Sequence, residues 1–402
     1  METPILSIVI PTKDRYSTLI SIVKYFLSWD RADFEIVVQD NSLDNSVFEQ
    51  ELSTFRDDQR LKYSHITEPM PMIDNCSKAI ERAKGDYVCF IGDDDGLIEA
   101  TIDLCIWLKN KNYDSATFQR FSYDWPDLSK KLGESSLTDG ILTSRNFEAT
   151  LINVESKTEL IRYLKYGATN LTYRGPFPYN GLVKRNIFEE TFKNTGQYFP
   201  APTPDVACMV STALLAKKHA YIKLPYICGG QSLSSAAGLG RQGMHVGEIE
   251  NIKSLPSDTK HKWSSELPPF WSGFTINAES AIKSLEAWKR DDLRGIFNFN
   301  RTLAAIIIYL QPEYRSRAWK HTKKMFELNY SNISKKGTIL EIGKIQLFRT
   351  YNFIKRKFSN QSISYHPNIG LALDFIQEQM SQKYPNLAPK IRYSSTVFQI
   401  KD

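Results

Sequence analysis

The chain has 402 residues, 42% of them hydrophobic and 12% aromatic, too long and too apolar for a disordered tail and enough for two or three domains. Its net charge of +6 is too small to argue for wrapping nucleic acid, and none is expected as a partner. The charge is unevenly spread: residues 1–240 carry 26 basic and 31 acidic side chains, leaving 25 basic and 14 acidic for residues 241–402. Five cysteines without a CxxC spacing predict a reducing compartment rather than a disulfide framework or a metal knuckle. Glu2 stands where an export signal needs positive charge, and Pro11 and Thr12 cut the apolar run short, so no signal peptide is predicted. The longest later apolar run, Leu303 to Leu310, falls far short of the ~20 residues that span a bilayer.

In chain order, the β-branched run of residues 5–10, closed by Pro11, reads as a strand buried on both faces. Leu19, Ile22, Val23 and Phe26 recur at helical spacing and predict a helix over 17–26. Further strands are predicted over 34–38, 87–91 and 116–121, and further helices over 73–83 and 97–110. Residues 124–153 show no clear period. Pro204 and Asp205 suit the first turn of a helix running to Ala216. Residues 229–243 read as a small-residue loop, and the sequence turns helical over 278–289, 293–310, 313–328, 339–358 and 369–382.

This rhythm predicts an α/β domain over 1–240, a Rossmann-like and mostly parallel sheet with helices on both faces. A linker over 241–270 and a smaller, mostly α-helical basic domain over 271–402 are predicted to follow. Ligands of such sheets bind beyond the carboxyl ends of the strands, where three polar clusters fall. The sharpest is Gly92-Asp93-Asp94-Asp95-Gly96, because three adjacent carboxylates repel one another unless a cation or a donor-rich ligand neutralises them. Oxygen ligands of this kind suit Mg²⁺ or Mn²⁺, although Asp and Gly also favour ordinary turns.

Ser7-Ile-Val-Ile-Pro-Thr-Lys-Asp-Arg15, then Glu35-Ile-Val-Val-Gln-Asp40-Asn-Ser42, then the acidic cluster, together resemble the family 2 nucleotide-sugar glycosyltransferases of GT-A fold over about residues 5–235. The resemblance implies a nucleotide-sugar donor, a UDP-sugar foremost, and transfer to a glycan or lipid-linked glycan with inversion, in bacterial surface polysaccharide assembly such as O-antigen or capsule. It implies that Thr12 and Asp40 bracket the base, with Pro11, Asp14 and Arg15 nearby. Asp93 would face the ribose and, with Asp95, hold Mg²⁺ or Mn²⁺ at the diphosphate, Asp94 being able to replace either. Gln231, Ser232 and Ser234 fall in the segment that closes over the diphosphate in such enzymes, where backbone amides and hydroxyls bind phosphate oxygens. Asp205 would be the general base, although Asp at a helix start is also an ordinary cap. The chain has Ile73-Asp74-Asn75 where many members have Ala-Arg-Asn, and Gly92 where many have Asp.

Two other readings use the same residues. In a haloacid-dehalogenase-type phosphohydrolase Asp93 would be the nucleophile and Asp95 the acid, but no later GDxxxD is present. A non-catalytic scaffold would bind the nucleotide sugar without turnover. Basic clusters at Arg315, Arg317, Lys320, Lys323 and Lys324 and at Lys344, Arg349, Lys355, Arg356 and Lys357 lie among aromatics. They suit an anionic membrane surface, with the protein cytoplasmic at the inner face of the membrane, or else a solvated helix face or a protein-partner interface.

Overall fold

The computed structural model describes residues 3–134, 138–169, 173–179, 181–328, 332–356, 361–385, 387 and 397–401, without the side chains of residues 354–356. Lys357 and Phe358, with the side chains of Lys355 and Arg356, therefore lie outside the described residues. The first strands are β1 Leu6–Thr12, β2 Phe34–Asp40, β3 Leu61–His65, β4 Tyr87–Phe90 and the short β5 Gly96–Leu97. Next come β6 Ser115–Phe118, β7 Phe121–Asp124, β8 Gly140–Arg145, β9 Thr150–Val154 and β10 Gly181–Lys184. They are followed by β11 His219–Ile222, β12 Ile227–Gln231, β13 Val246–Gly247, β14 Trp271–Ser272, β15 Gln361–His366 and β16 Gln399–Lys401.

Nine strands form one sheet in the order β16-β9-β11-β6-β10-β4-β1-β2-β3. The half around β4, β1, β2 and β3 is parallel, so the carboxyl ends of these strands open on one edge. Alternation along β1 explains why both faces of the sheet are covered. Leu6, Ile8 and Ile10 point into a core shared with the helices Tyr16–Leu27, Ala100–Asn110 and Ile369–Lys383. Val9 points the other way, to a core shared with Met72–Arg82, Arg185–Thr195 and Pro204–Leu215. Gly85 is required where the chain enters β4, because a Cβ there would lie 2.5 Å from the Ser7 amide nitrogen.

A second sheet, β15-β8-β7-β12-β5, stands beside the acidic turn. It accounts for much of the segment without a clear period: β7 and β8 are short and pair with the distant β12 and β15, while β9 joins the first sheet beside β11 and β16. It also changes the expected loop at 229–243. Gly229 and Gly230 belong to β12, and Ser235 caps the helix Ala236–Arg241, its side chain accepting from the Gly238 amide. Glycine serves in that strand because another backbone crosses it: a Cβ on Gly230 would lie 1.6 Å from the carbonyl oxygen of Asp94.

The helices after residue 270 are observed as Gly273–Ala287, Asp291–Arg294, Phe299–Tyr309, Pro312–Glu327, Lys335–Arg356 and Ile369–Lys383. Ile282, Leu285, Phe299 and Leu303 share a core with Leu160 and Leu164 of the helix Ser156–Lys165 and with Val206 and Met209. Segment 241–270 is built in as well, since Ile249 and Leu255 are buried against Trp271 and Ile276. After residue 360 the chain returns to the first domain, where β15 pairs with β8, β16 pairs with β9, and Leu373 and Ile376 enter its main core.

Candidate active site

The three polar clusters meet at the parallel edge. Thr12, the last residue of β1, donates from Oγ1 to Asp93 Oδ2 at 2.6 Å. Arg15 reaches the same carboxylate through Nε at 3.1 Å and Nη2 at 2.7 Å, and its Nη1 lies 4.0 Å from Asp94 Oδ1. It thus supplies a cation beside the turn, whereas Asn75 is turned inward and donates to the carbonyls of Thr12 and Gln39. Arg15 is able to do so because Asp14 takes a left-handed conformation, φ 57°, and its amide donates to Ser42 Oγ at 2.7 Å. The Asp14 side chain itself is exposed, and Pro11 lies within β1 opposite Gln39.

Asp40 is fully buried at the end of β2. Its Oδ2 accepts from the hydroxyls of Tyr16 at 2.6 Å and Tyr63 at 2.8 Å, and its Oδ1 accepts from the amide and hydroxyl of Ser42. These two tyrosines carry no sequence signal as site residues, since their spacing from Asp40 exists only in the fold.

All three carboxylates of the turn are buried, and each has different partners. Asp94 Oδ2 accepts from the amide and hydroxyl of Ser232 at 2.9 and 2.8 Å. Asp95 is divided between two backbone amides, Gly92 at 2.8 Å and Gly230 at 2.7 Å. Burial pushes Asp93 and Asp95 up to about 7, with Asp94 adding to the shift in both, while Arg15 opposes it at Asp93 and the Gly92 and Gly230 amides at Asp95. Trp125 Nε1 donates to the Asp94 carbonyl at 2.9 Å, locking the turn to the second sheet. Gln231 ends β12, its carbonyl accepting from the Trp125 amide, and Ser234 is exposed.

Among the described residues, no group of three His, Cys, Asp or Glu side chains forms a ready metal site. The donor set is nonetheless oxygen only, as Mg²⁺ or Mn²⁺ requires. Asp93 and Asp95, the two carboxylates assigned to a metal from the sequence, are engaged within the protein. Asp94 Oδ1 accepts no hydrogen bond from a described residue, and one such oxygen fits an ion that draws its other ligands from phosphates and water. A nucleophilic Asp93 fits less well, because that side chain is fully buried and held by Thr12 and Arg15.

Asp205 lies elsewhere in the cleft, in the first turn of Pro204–Leu215, with Oδ1 accepting from the Val206 amide at 2.8 Å. It lines a cavity of about 1010 Å³ together with Arg120, Tyr163, Tyr173 and Tyr221. Arg120, which follows β6, connects the two places. The carboxylates of Asp95 and Asp205 both act on it, though surrounding protein pushes its pKa down more strongly than they raise it. Tyr179 also stands at the turn: a Cβ on Gly92 would come within 2.7 Å of its hydroxyl, so an Asp at position 92 would force that side chain to shift. Asp93, Asp94 and Asp95 are not part of the cavity lining.

Residues 7–192 match the family model of glycosyl transferase family 2. A stretch of 112 residues is 28% identical to GalNAc(5)-diNAcBac-PP-undecaprenol beta-1,3-glucosyltransferase of Campylobacter jejuni. The match spans 27% of this chain and about a third, 36%, of that protein. Among solved structures, S. aureus TarS 1-349 in complex with UDP-GlcNAc is similar at a TM-score of 0.49, with 13% identity over 83% of this chain and 82% of that one. The same TarS segment with UDP gives 0.41, with 13% identity over 85% and 91%.

Proposed function

We propose that the protein is a glycosyltransferase that moves a sugar from a nucleoside diphosphate donor, a UDP-sugar foremost, to a hydroxyl acceptor with inversion. One observation carries this reading: Thr12, Arg15 and the buried acidic turn are joined at the carboxyl edge of the sheet, and Arg120, on which the Asp95 carboxylate acts, lines the cavity that holds Asp205. The acceptor oxygen attacks the anomeric carbon, Asp205 takes its proton, and the bond to the diphosphate breaks with its electron pair leaving on the phosphate oxygen. Thr12 and Asp40 stand at adjacent strand ends to seat the nucleoside, and Ser232 lies against Asp94 where the diphosphate would pass. Mg²⁺ or Mn²⁺, when bound, would draw charge from the departing diphosphate, with Asp94 as its first protein ligand.

The match to an enzyme named for a PP-undecaprenol substrate supports a lipid-linked glycan acceptor and a role in bacterial surface glycan assembly. Among the described residues no helix is long and apolar enough to cross a membrane. The helix Lys335–Arg356 exposes Leu340, Leu347, Phe348 and Tyr351 alongside Lys344 and Arg349, which supports peripheral contact with an anionic inner membrane face. Flotation with anionic liposomes should carry the protein at low salt and release it at high salt. Its absence from the lipid fraction at any salt removes the membrane contact.

For the reaction, UDP-, GDP- and dTDP-sugars with Mg²⁺ or Mn²⁺ are screened for thermal stabilisation and slow donor hydrolysis. One nucleotide sugar should give both. No response to any of them, with p-nitrophenyl phosphate cleaved instead, overturns the reading. Asp205→Asn should lower kcat by about 10²–10⁴-fold with little change in donor Kd.

A further inference from the structure

The cavity beside Asp205 is basic in a way that the transfer reaction alone does not require. Arg120, Arg145 and Arg174 all line it, and Asp205 is the only carboxylate among its described lining residues. Most well-placed arginines of this chain hold a carboxylate, as Arg15, Arg31, Arg60, Arg241 and Arg294 do. The three in the cavity pair with none among the described residues. Two of them stack instead, Arg120 over Phe177 at 5.1 Å and Arg174 over Tyr221 at 5.3 Å. Tyr221 lines the same cavity, and Arg174, Lys223, Arg120 and Arg145 all act on its hydroxyl.

The arginines come from three separate elements. Arg120 follows β6, Arg145 ends β8, and Arg174 precedes β10. The Arg174 segment is fixed from beneath by a fully buried histidine: His219 Nε2 donates to the Arg174 carbonyl at 2.9 Å, while Nδ1 accepts from Ser115 Oγ at 2.8 Å. The Arg174 amide also donates to Glu159. Convergent like charges that outnumber the one carboxylate beside them cost stability, and a planar guanidinium held on an aromatic face remains free to make bidentate bonds to an oxyanion.

We propose that this cavity is an oxyanion subsite for the acceptor: the accepted molecule carries a phosphate or carboxylate group, which Arg120, Arg145 and Arg174 hold while its hydroxyl faces Asp205. The proposal rests on the glycosyltransferase reading, and it names the substrate class of that site. An anion seated there fixes the acceptor's orientation by charge as well as by stacking, which favours charged acceptors over neutral glycans of equal size.

Methyl phosphate, glucuronate and glucose are the probes, titrated calorimetrically into the full chain at low ionic strength, with and without saturating UDP. At least one anion should bind ten times more tightly than glucose, and the tighter of the two identifies the group as phosphate or carboxylate. The double variant Arg145→Gln/Arg174→Gln should weaken that anion about tenfold or more, and Arg145→Lys/Arg174→Lys should recover part of the loss. UDP affinity, read in parallel on each protein, reports whether the fold and donor site persist. Anions that bind no better than glucose, or that bind the glutamine variant as tightly as the wild type, overturn the subsite. If UDP binds none of these proteins, the donor reading fails separately, and the titrations without UDP still decide the subsite.

Discussion

Gly230 shows how closely the acidic turn is fitted to its surroundings. Its amide donates to Asp95, and the space where its side chain would be is filled by the Asp94 carbonyl. Gly230→Ala must push the two backbones apart, so it should cost about 1–3 kcal/mol in urea unfolding and weaken donor binding with it. Gly240→Ala is the control, because nothing lies within 4 Å of a Cβ there and the residue sits in a helix. It should be neutral or stabilising by about 0.5–1 kcal/mol. At this scale the sequence was most informative where chemistry is carried by neighbours in the chain. Thr12, Arg15, Asp40 and the Asp93–Asp95 turn announce themselves by motif, and the fold brings them together. Arg120, Arg174, Tyr16 and Tyr63 do not, since each acts through a partner distant in sequence and no spacing encodes it.

Among elements, the helix Gly273–Ala287 carries a titration of its own. Glu279 is buried, both of its oxygens accept from the Ser264 amide at 3.1 Å, and burial raises its pKa to about 7. In the unfolded chain it ionises near its ordinary value of 4.5, so between there and 7 the folded state holds the extra proton. Its contribution to stability is therefore full below pH 4.5 and is lost as the pH rises through 7. Asp93 and Asp95 are shifted in the same direction, and all three tilt the stability profile downward over that window. Glu279→Gln should flatten part of that slope, measured as the thermal midpoint between pH 5 and 8. Long periodic elements such as Tyr16–Leu27 and Pro204–Leu215 are legible from apolar spacing to within about a residue. The short strands β7, β8 and β12 are not, because four to six residues carry too little pattern and their pairing partners supply the stability.

For the molecule as a whole, the return of the chain after residue 360 binds late sequence to early sequence. Leu373 is fully buried where it covers Gly96, just past the acidic turn, with its Cδ1 2.5 Å from where a Cβ on that glycine would be. Leu373→Ala should cost about 2–5 kcal/mol and should disturb donor binding although the residue touches no substrate. An amphipathic helix near the end of a chain reads equally well as part of a separate domain, and its spacing does not tell which core it joins. The helix Pro204–Leu215 shows another side of this organisation. One flank belongs to the sheet and the other to the later helices, and its first turn bears Asp205. A displacement of the helical layer is therefore passed to the turn that bears Asp205, so docking at the outer surface has a mechanical route to the carboxylate proposed as the base.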